Sequence, residues 1–223
     1  MIFNINQIKQ IRIIRFLYYL FKEYQPILFP IRGRGNFIHN KGINIKSKFN
    51  IEGNNNHVFI DKGVVLKCVN IYILGNNHCL HIQRDAFLKG TELWFEDNKC
   101  KIIIGERSFI GPSHIAVTED DSYISIGADV LISSNVEIRS GDSHSIINIQ
   151  TSKRINFAQS IQIGNHVWIA SSAKIMKGVI LGDDSIVSAG SIVTKSMPSN
   201  VLVGGIPARI LKENVTWDKK RIK

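Results

Sequence analysis

The chain has 223 residues, a formal net charge of +10 and 44% hydrophobic residues, a globular composition with room for one large domain or two small ones. Five prolines and no low-complexity run exclude collagen-like and linker-rich architectures, and Cys68, Cys79 and Cys100 form no CxxC pair, so structural thiols in a reducing compartment are expected. The charge is uneven, +8 over residues 1–48, +5 over 195–223 and −3 between them, and no basic element interleaved with aromatics points to nucleic acid; basic ends point to an anionic ligand, an anionic polymer or a membrane face.

Residues 1–30 form the first predicted element. Ile5, Ile8, Ile11, Ile14, Leu17, Tyr18 and Phe21 recur at helical spacing between Lys9, Arg12 and Lys22, and Pro26 and Pro30 stop the pattern. This amphipathic helix either caps the open end of a repeat stack or, through residues 1–25, lies on an anionic membrane face. Its longest apolar run, Phe16 to Phe21, is far short of the ~20 residues that cross a bilayer, and no small-residue cleavage site comes after it.

From residue 31 the sequence repeats. Apolar starts recur as Val58-Phe59-Ile60, Leu80-His81-Ile82, Ile102-Ile103-Ile104 and Ile124-Ser125-Ile126, with third residues 22 apart, and a further step back lands on Ile38. Each start is followed by a small or β-branched residue (Val64, Ala86, Ser108, Val130), an apolar pair, and a further pair such as Ile71/Ile73 or Leu93/Phe95. Polar corners close the units, among them Gly53-Asn54-Asn55-Asn56 and Gly75-Asn76-Asn77, residue types that favour turns. Three short β runs per unit joined by corners describe a coil of a triangular solenoid, each coil burying its apolar residues on the next.

The next start comes at Ile161-Gln162-Ile163, 37 residues on instead of 22. The excess of 15 falls in a corner, Arg139-Ser140-Gly141-Asp142-Ser143-His144-Ser145, and is expected to protrude as a loop over about 142–157. A solenoid needs no insertion to stack, so this corner asks for a reason other than stability. After it the period tightens to six, Ile163, Ile169, Ile175, Leu181, Val187 and Val193, with Val167, Ala173, Val179, Ser185 and Ser191 at the intervening small positions.

This hexapeptide pattern resembles that of the left-handed parallel β-helix acyltransferases, and Ile161–Lys212 is similar to the last coils of the galactoside, maltose and capsular polysaccharide (sialic acid) O-acetyltransferases. The resemblance implies an all-β left-handed helix over 31–206 and a basic tail over 207–223. It further implies a homotrimer, cytoplasmic or at the inner face of the membrane, that uses acetyl-CoA and no metal to O-acetylate an acidic or neutral glycan of the bacterial surface or its sugar precursor. A sialic-acid polymer suits the basic chain.

The resemblance also assigns residues. His144 matches the histidine that acts as general base on the acceptor hydroxyl, a role that requires a neutral imidazole within reach of a weak nucleophile. By its place in the corner, and not by the resemblance, Asp142 with Ser143 beside it, or else a backbone carbonyl of the corner, is available to orient the ring or the substrate. Trp168, in the column of Val65, Phe87, Phe109 and Leu131, reads by pattern as packing and by resemblance as the partner of the base at the acetyl-CoA site, where an indole N–H can only donate. Ser171 and Ala189 match contacts along the pantetheine arm, Thr194 and Lys195 follow as in the family, and Arg209 and Lys212 match cations near the adenosine phosphates. Ala170 stands where the family often has Gly, which narrows the groove. His39, His57, His78, His81, His114 and His166 read as ordinary coil or turn residues. Transfer to an amino sugar or to serine, a scaffold without catalysis, and a metal-dependent hydratase are the other readings; the last requires a His-x4-His pair that the sequence lacks.

Overall fold

The structure, a computed structural model, describes residues 30–222, and the amphipathic helix expected before Pro30 lies outside the described residues. Short strands stack into three parallel sheets. Sheet A runs from Ile31–Arg32 through Asn70–Leu74, Glu92–Phe95, Ser113–Val117, Val136–Arg139 and Lys174–Ile175 to Ile192–Val193. Sheet B runs from Phe37–Asn40 through Tyr123–Ile126 and Ile161–Ile163 to Ile180–Leu181. Sheet C runs from Ile43–Ile45 through Leu131–Ile132 and Trp168–Ile169 to Val201–Gly205. The chain passes from C to A to B in each coil.

The repeat and the register agree. Ile60, Ile82, Ile104 and Ile126 pair successively at 22 residues, Ile126 pairs with Ile163 across 37, and Ile163 pairs with Leu181 across 18. All six side chains are buried, each contributing roughly 1.5–3 kcal/mol by leaving water. The small column is buried too; Ser108 fits there because its hydroxyl donates to the Gly127 carbonyl and accepts the Val130 N–H. A buried hydroxyl without those bonds costs about 1–3 kcal/mol.

The first coil departs from the expected spacing. Ile38 pairs with Val58, and it is Asn40 that pairs with Ile60. Ile43 still pairs with Val65, so the corner between sheets B and C is two residues shorter here, with Lys41-Gly42 doing what Asp61–Val64 do one coil later. Gly42 permits this: a Cβ on it would meet the Val64 carbonyl oxygen at 2.7 Å.

The corners between sheets A and B are held by a ladder. The Asn54 N–H donates to Asn76 Oδ1, Asn76 Nδ2 to Asn98 Oδ1, and the Asn98 N–H to Asp120 Oδ1, all at 2.9 Å. Inside the same corners Asn56, His78, Cys100 and Ser122 form a buried column, with the His78 N–H on Asn56 Oδ1 and His78 Nδ1 accepting the Cys100 N–H. Burial pushes the Cys100 thiol up to about 11, so this thiol is structural.

At the C-terminal end, Ala208–Glu213 pairs antiparallel with Val201–Gly205 and extends sheet C. Residues 208–213 of the basic tail thus extend the solenoid's last sheet, and the division expected at residue 206 falls in the turn that joins these two strands. Trp217, beyond it, is buried against the coils.

Candidate active site

The ladder of corners stops where the loop begins. Strand Val136–Arg139 leaves sheet A and the chain does not enter sheet B until Ile161. Ile124 and Ile161 still pair across the excursion, so the solenoid is continuous beneath it. One residue of the excess is absorbed earlier, since Ile115 pairs with Ile138 at an interval of 23. The loop doubles back on itself, with the Ile155 N–H on the Ile146 carbonyl and the Asn148 N–H on the Lys153 carbonyl. Its base is closed by the Gln159 N–H on the Ser140 carbonyl.

His144 is exposed at the start of this loop, and its ring makes no hydrogen bond or ion pair among the described residues. Asp142 does not pair with it. The carboxylate instead accepts Lys177 Nζ at 2.6 Å and Asn156 Nδ2 at 2.8 Å through one oxygen, which holds it below the usual carboxylate range. Ser143 accepts from Arg139 Nη2 at 3.0 Å. A cavity of about 230 Å³ opens here, lined by Glu137, Arg139, Ser143, Lys174, Met176 and Lys177 among others. Arg139 Nε is buried without a partner, and Arg154 is ion-paired with Glu119 and lies over the Phe157 ring, bracing the loop's far end.

The other expected residues divide into groups. Trp168 is in sheet C, in register with Leu131 below and Ile186 above, as the column required. It is 36% exposed, and its indole N–H has no partner among the described residues. Ser171 and Ala189 occupy the C–A corner one 18-residue coil apart, tied by the Gly190 N–H on the Ser171 carbonyl. The space beside Gly190 is open: a Cβ built there would meet nothing within 4 Å. Arg209 and Lys212 are exposed on the terminal hairpin, and neither has a carboxylate partner among the described residues. These residues lie on sheet C and its edge, a surface suited to a long ligand with an anionic end. Thr194 and Lys195 lie apart from them, exposed on the A–B corner one coil beyond Met176 and Lys177.

Sheet C is the side of the triangle opposite the A–B corner. One chain therefore does not bring His144 to Trp168, although both occupy their expected positions. Three residues escaped the sequence pattern. Asn156 and Lys177 grip the loop from 14 and 35 residues beyond Asp142 and obey no period. Trp217 stacks on His166 at 4.4 Å, donates to the His166 carbonyl, and stands 6.0 Å from Trp168. His166 Nδ1 in turn meets Asp184 Oδ1 at 2.8 Å, and together with Thr216 this keeps the Asp184 carboxyl below its ordinary range. A lone aromatic in a charged terminus was the available signal for Trp217.

Among the described residues no three His, Cys, Asp or Glu side chains converge in a metal-binding group, and no helix is long and apolar enough to cross a membrane. The bacterial transferase hexapeptide profile (six repeats) matches residues 160–195. The polysialic acid O-acetyltransferase of Neisseria meningitidis is 32% identical over 175 residues, 78% of this chain and 80% of the relative. That of Escherichia coli O1:K1 is 37% identical over 138 residues, 62% of this chain but only 44% of the relative's length. The crystal structure of the polySia-specific acetyltransferase NeuO superposes with a TM-score of 0.81 at 34% identity, covering 87% of this chain and 83% of that one. The solenoid is accordingly a left-handed parallel β-helix, and the chain belongs to the hexapeptide-repeat acetyltransferase family.

Proposed function

We propose that the chain transfers the acetyl group of acetyl-CoA to a hydroxyl of a surface polysaccharide or its sugar precursor, with His144 as general base. The observation that carries this reading is the A–B corner: a regular hydrogen-bonded ladder gives way to a braced loop that presents an imidazole unpartnered among the described residues, next to the Asp142 and Ser143 that line a cavity. The His144 imidazole takes the acceptor's hydroxyl proton as its oxygen bonds to the acetyl carbon; the carbon–sulfur bond breaks and the imidazolium returns that proton to the leaving CoA thiolate. Acetyl-CoA supplies the activated acyl group. The free Trp168 N–H is a donor for the acyl oxygen as charge develops on it. The open strip beside Ala189 and Gly190, and Arg209 and Lys212, which have no carboxylate partner among the described residues, suit the arm and phosphates of that co-substrate.

A shared site between copies supports a homotrimer, because His144 and Trp168 lie on different sides of one triangle. The loop's apolar side chains need cover, Ile149 being 94% exposed and Ile155 and Phe157 each 60%. An acidic glycan, of the sialic-acid kind named for the relatives, suits a chain of net charge +10. We place the enzyme in the cytoplasm, with residues 1–25 available to meet the inner face of the membrane.

The test is release of CoA thiol from acetyl-CoA with polysialic acid, a neutral galactoside, an amino sugar and serine in turn. Release with a glycan hydroxyl is expected. Release only with the amino acceptors replaces O- by N-transfer or serine acetylation, and release with none overturns the enzyme reading.

A further inference from the structure

We propose that Asn156 is a positioning residue for His144, an inference that rests on His144 being the base. Asn156 lies at the far end of the loop, 12 residues from His144, and is only 7% exposed. Its Nδ2 donates both hydrogens, one to the His144 carbonyl and one to Asp142, each at 2.8 Å. Its Oδ1 accepts the Ile146 N–H at 2.7 Å and Arg154 Nε at 3.2 Å. Its own carbonyl accepts Lys177 Nζ at 3.0 Å, and the same ammonium reaches Asp142. One side-chain amide with its full bonding capacity in use thus fixes residues 142, 144 and 146, before, at and after the imidazole.

The consequence for His144 comes from what its ring lacks. With no hydrogen bond of its own among the described residues, the imidazole is located by its backbone, and the backbone is located by Asn156. Lys177 comes just after strand Lys174–Ile175 of the next coil, so it references the loop to the rigid coil above. A buried amide left unmatched is costly, so the arrangement holds one geometry in preference to several. A base must sit within hydrogen-bond reach of the proton it takes, and a displacement of about 1 Å can cost on the order of 10²-fold in rate.

The experiment is a double-mutant cycle on the full chain, with acetyl-CoA and whichever glycan of the panel gives thiol release. Asn156→Ala should lower kcat roughly 10–100-fold while leaving KM for acetyl-CoA within about twofold, because the residues proposed for the cofactor lie on other elements. In a His144→Ala background the same change should lower kcat no further, since there is no base left to position. Asn156→Asp keeps the acceptor for Ile146 and Arg154 but sets a carboxylate oxygen against Asp142 and the His144 carbonyl, so melting temperature and kcat should both fall, and the loss of kcat should again vanish without His144. Should Asn156→Ala not fold, Lys177→Met, altered only at the corner, should give a smaller loss of kcat that likewise vanishes without His144. Multiplicative losses, or wild-type kcat in Asn156→Asp, would overturn the positioning role and leave His144 standing. Wild-type turnover in His144→Ala alone removes the base, and with it the mechanism on which the role of Asn156 rests.

Discussion

The corners between sheets A and B come in two kinds. In the early coils each is a handful of polar residues whose side chains climb from Asn54 to Asp120, each rung bonded to the corner of the next coil. In the coil after Asp120, the same corner holds 21 residues, from Ser140 to Ser160, whose polar groups bond to one another, to Thr118 and Glu119 and to Lys177 instead of continuing the ladder. The first kind is repetitive, so each rung is replaceable and its worth is additive across neighbouring coils. The second is built once, from side chains distant in sequence, and it projects an imidazole and several isoleucines into solvent. Stability explains the first and leaves the second unexplained, which is the physical reason for placing the chemistry there.

Substitutions at the two kinds of corner should separate rate from stability. His144→Ala should reduce kcat by roughly 10²–10⁴-fold with little change in melting temperature, since a general base is worth that much and the ring is exposed. Turnover within about threefold of wild type on a confirmed acceptor would break the contrast at its centre. Leu93→Ala, at 0% exposure in the third coil, should instead cost about 2–5 kcal/mol of unfolding free energy with kcat unchanged at permissive temperature. Asn76→Ala removes one rung, which bonds both its neighbours, and should cost about 1–2 kcal/mol in the same assay. A loss of kcat in either of these two variants would mean that the regular coils also shape the site.

Legibility in the sequence divides the same way. The 22- and 18-residue coils were legible because inward positions must be apolar and return in register; Ile104, Ile126 and Ile163 read as one column even across the loop. Trp168 was placed in the column of Leu131 for the same reason. Ile38 was placed two residues out of register because a shortened corner at Lys41-Gly42 changes the interval without changing the pattern on either side. The insertion itself was legible as a break, but its internal bonds were not, because Asp142, Asn156 and Lys177 meet through the path of the loop and no period encodes that path. Asp142 therefore read as a partner for the imidazole when it is a partner for an ammonium.

The smallest effect distinguishes the two corners by pH. Lys177 and Asn156 hold the Asp142 carboxyl below its ordinary range, so on acidification the open loop takes up the proton first. The contribution of this pair is fully present above the open-state value of about 3.9 and is lost as pH falls through the lower folded value. Asp142 is 36% exposed, so the pair is worth about 0.2–1 kcal/mol and will not show in global unfolding, where Glu106, Asp129, Glu137 and Asp184 are depressed as well. Amide exchange resolves it. The Ile146 N–H, held by Asn156, should lose protection as pH falls below about 4 after correction for intrinsic rates, while the Ile104 N–H in the coil keeps its own. In Asp142→Asn the Ile146 protection should be lower at neutral pH and flat over that range. If both amides lose protection together in the wild type, loop and ladder open as one unit, and the corner that carries His144 is no more independent than the rungs below it.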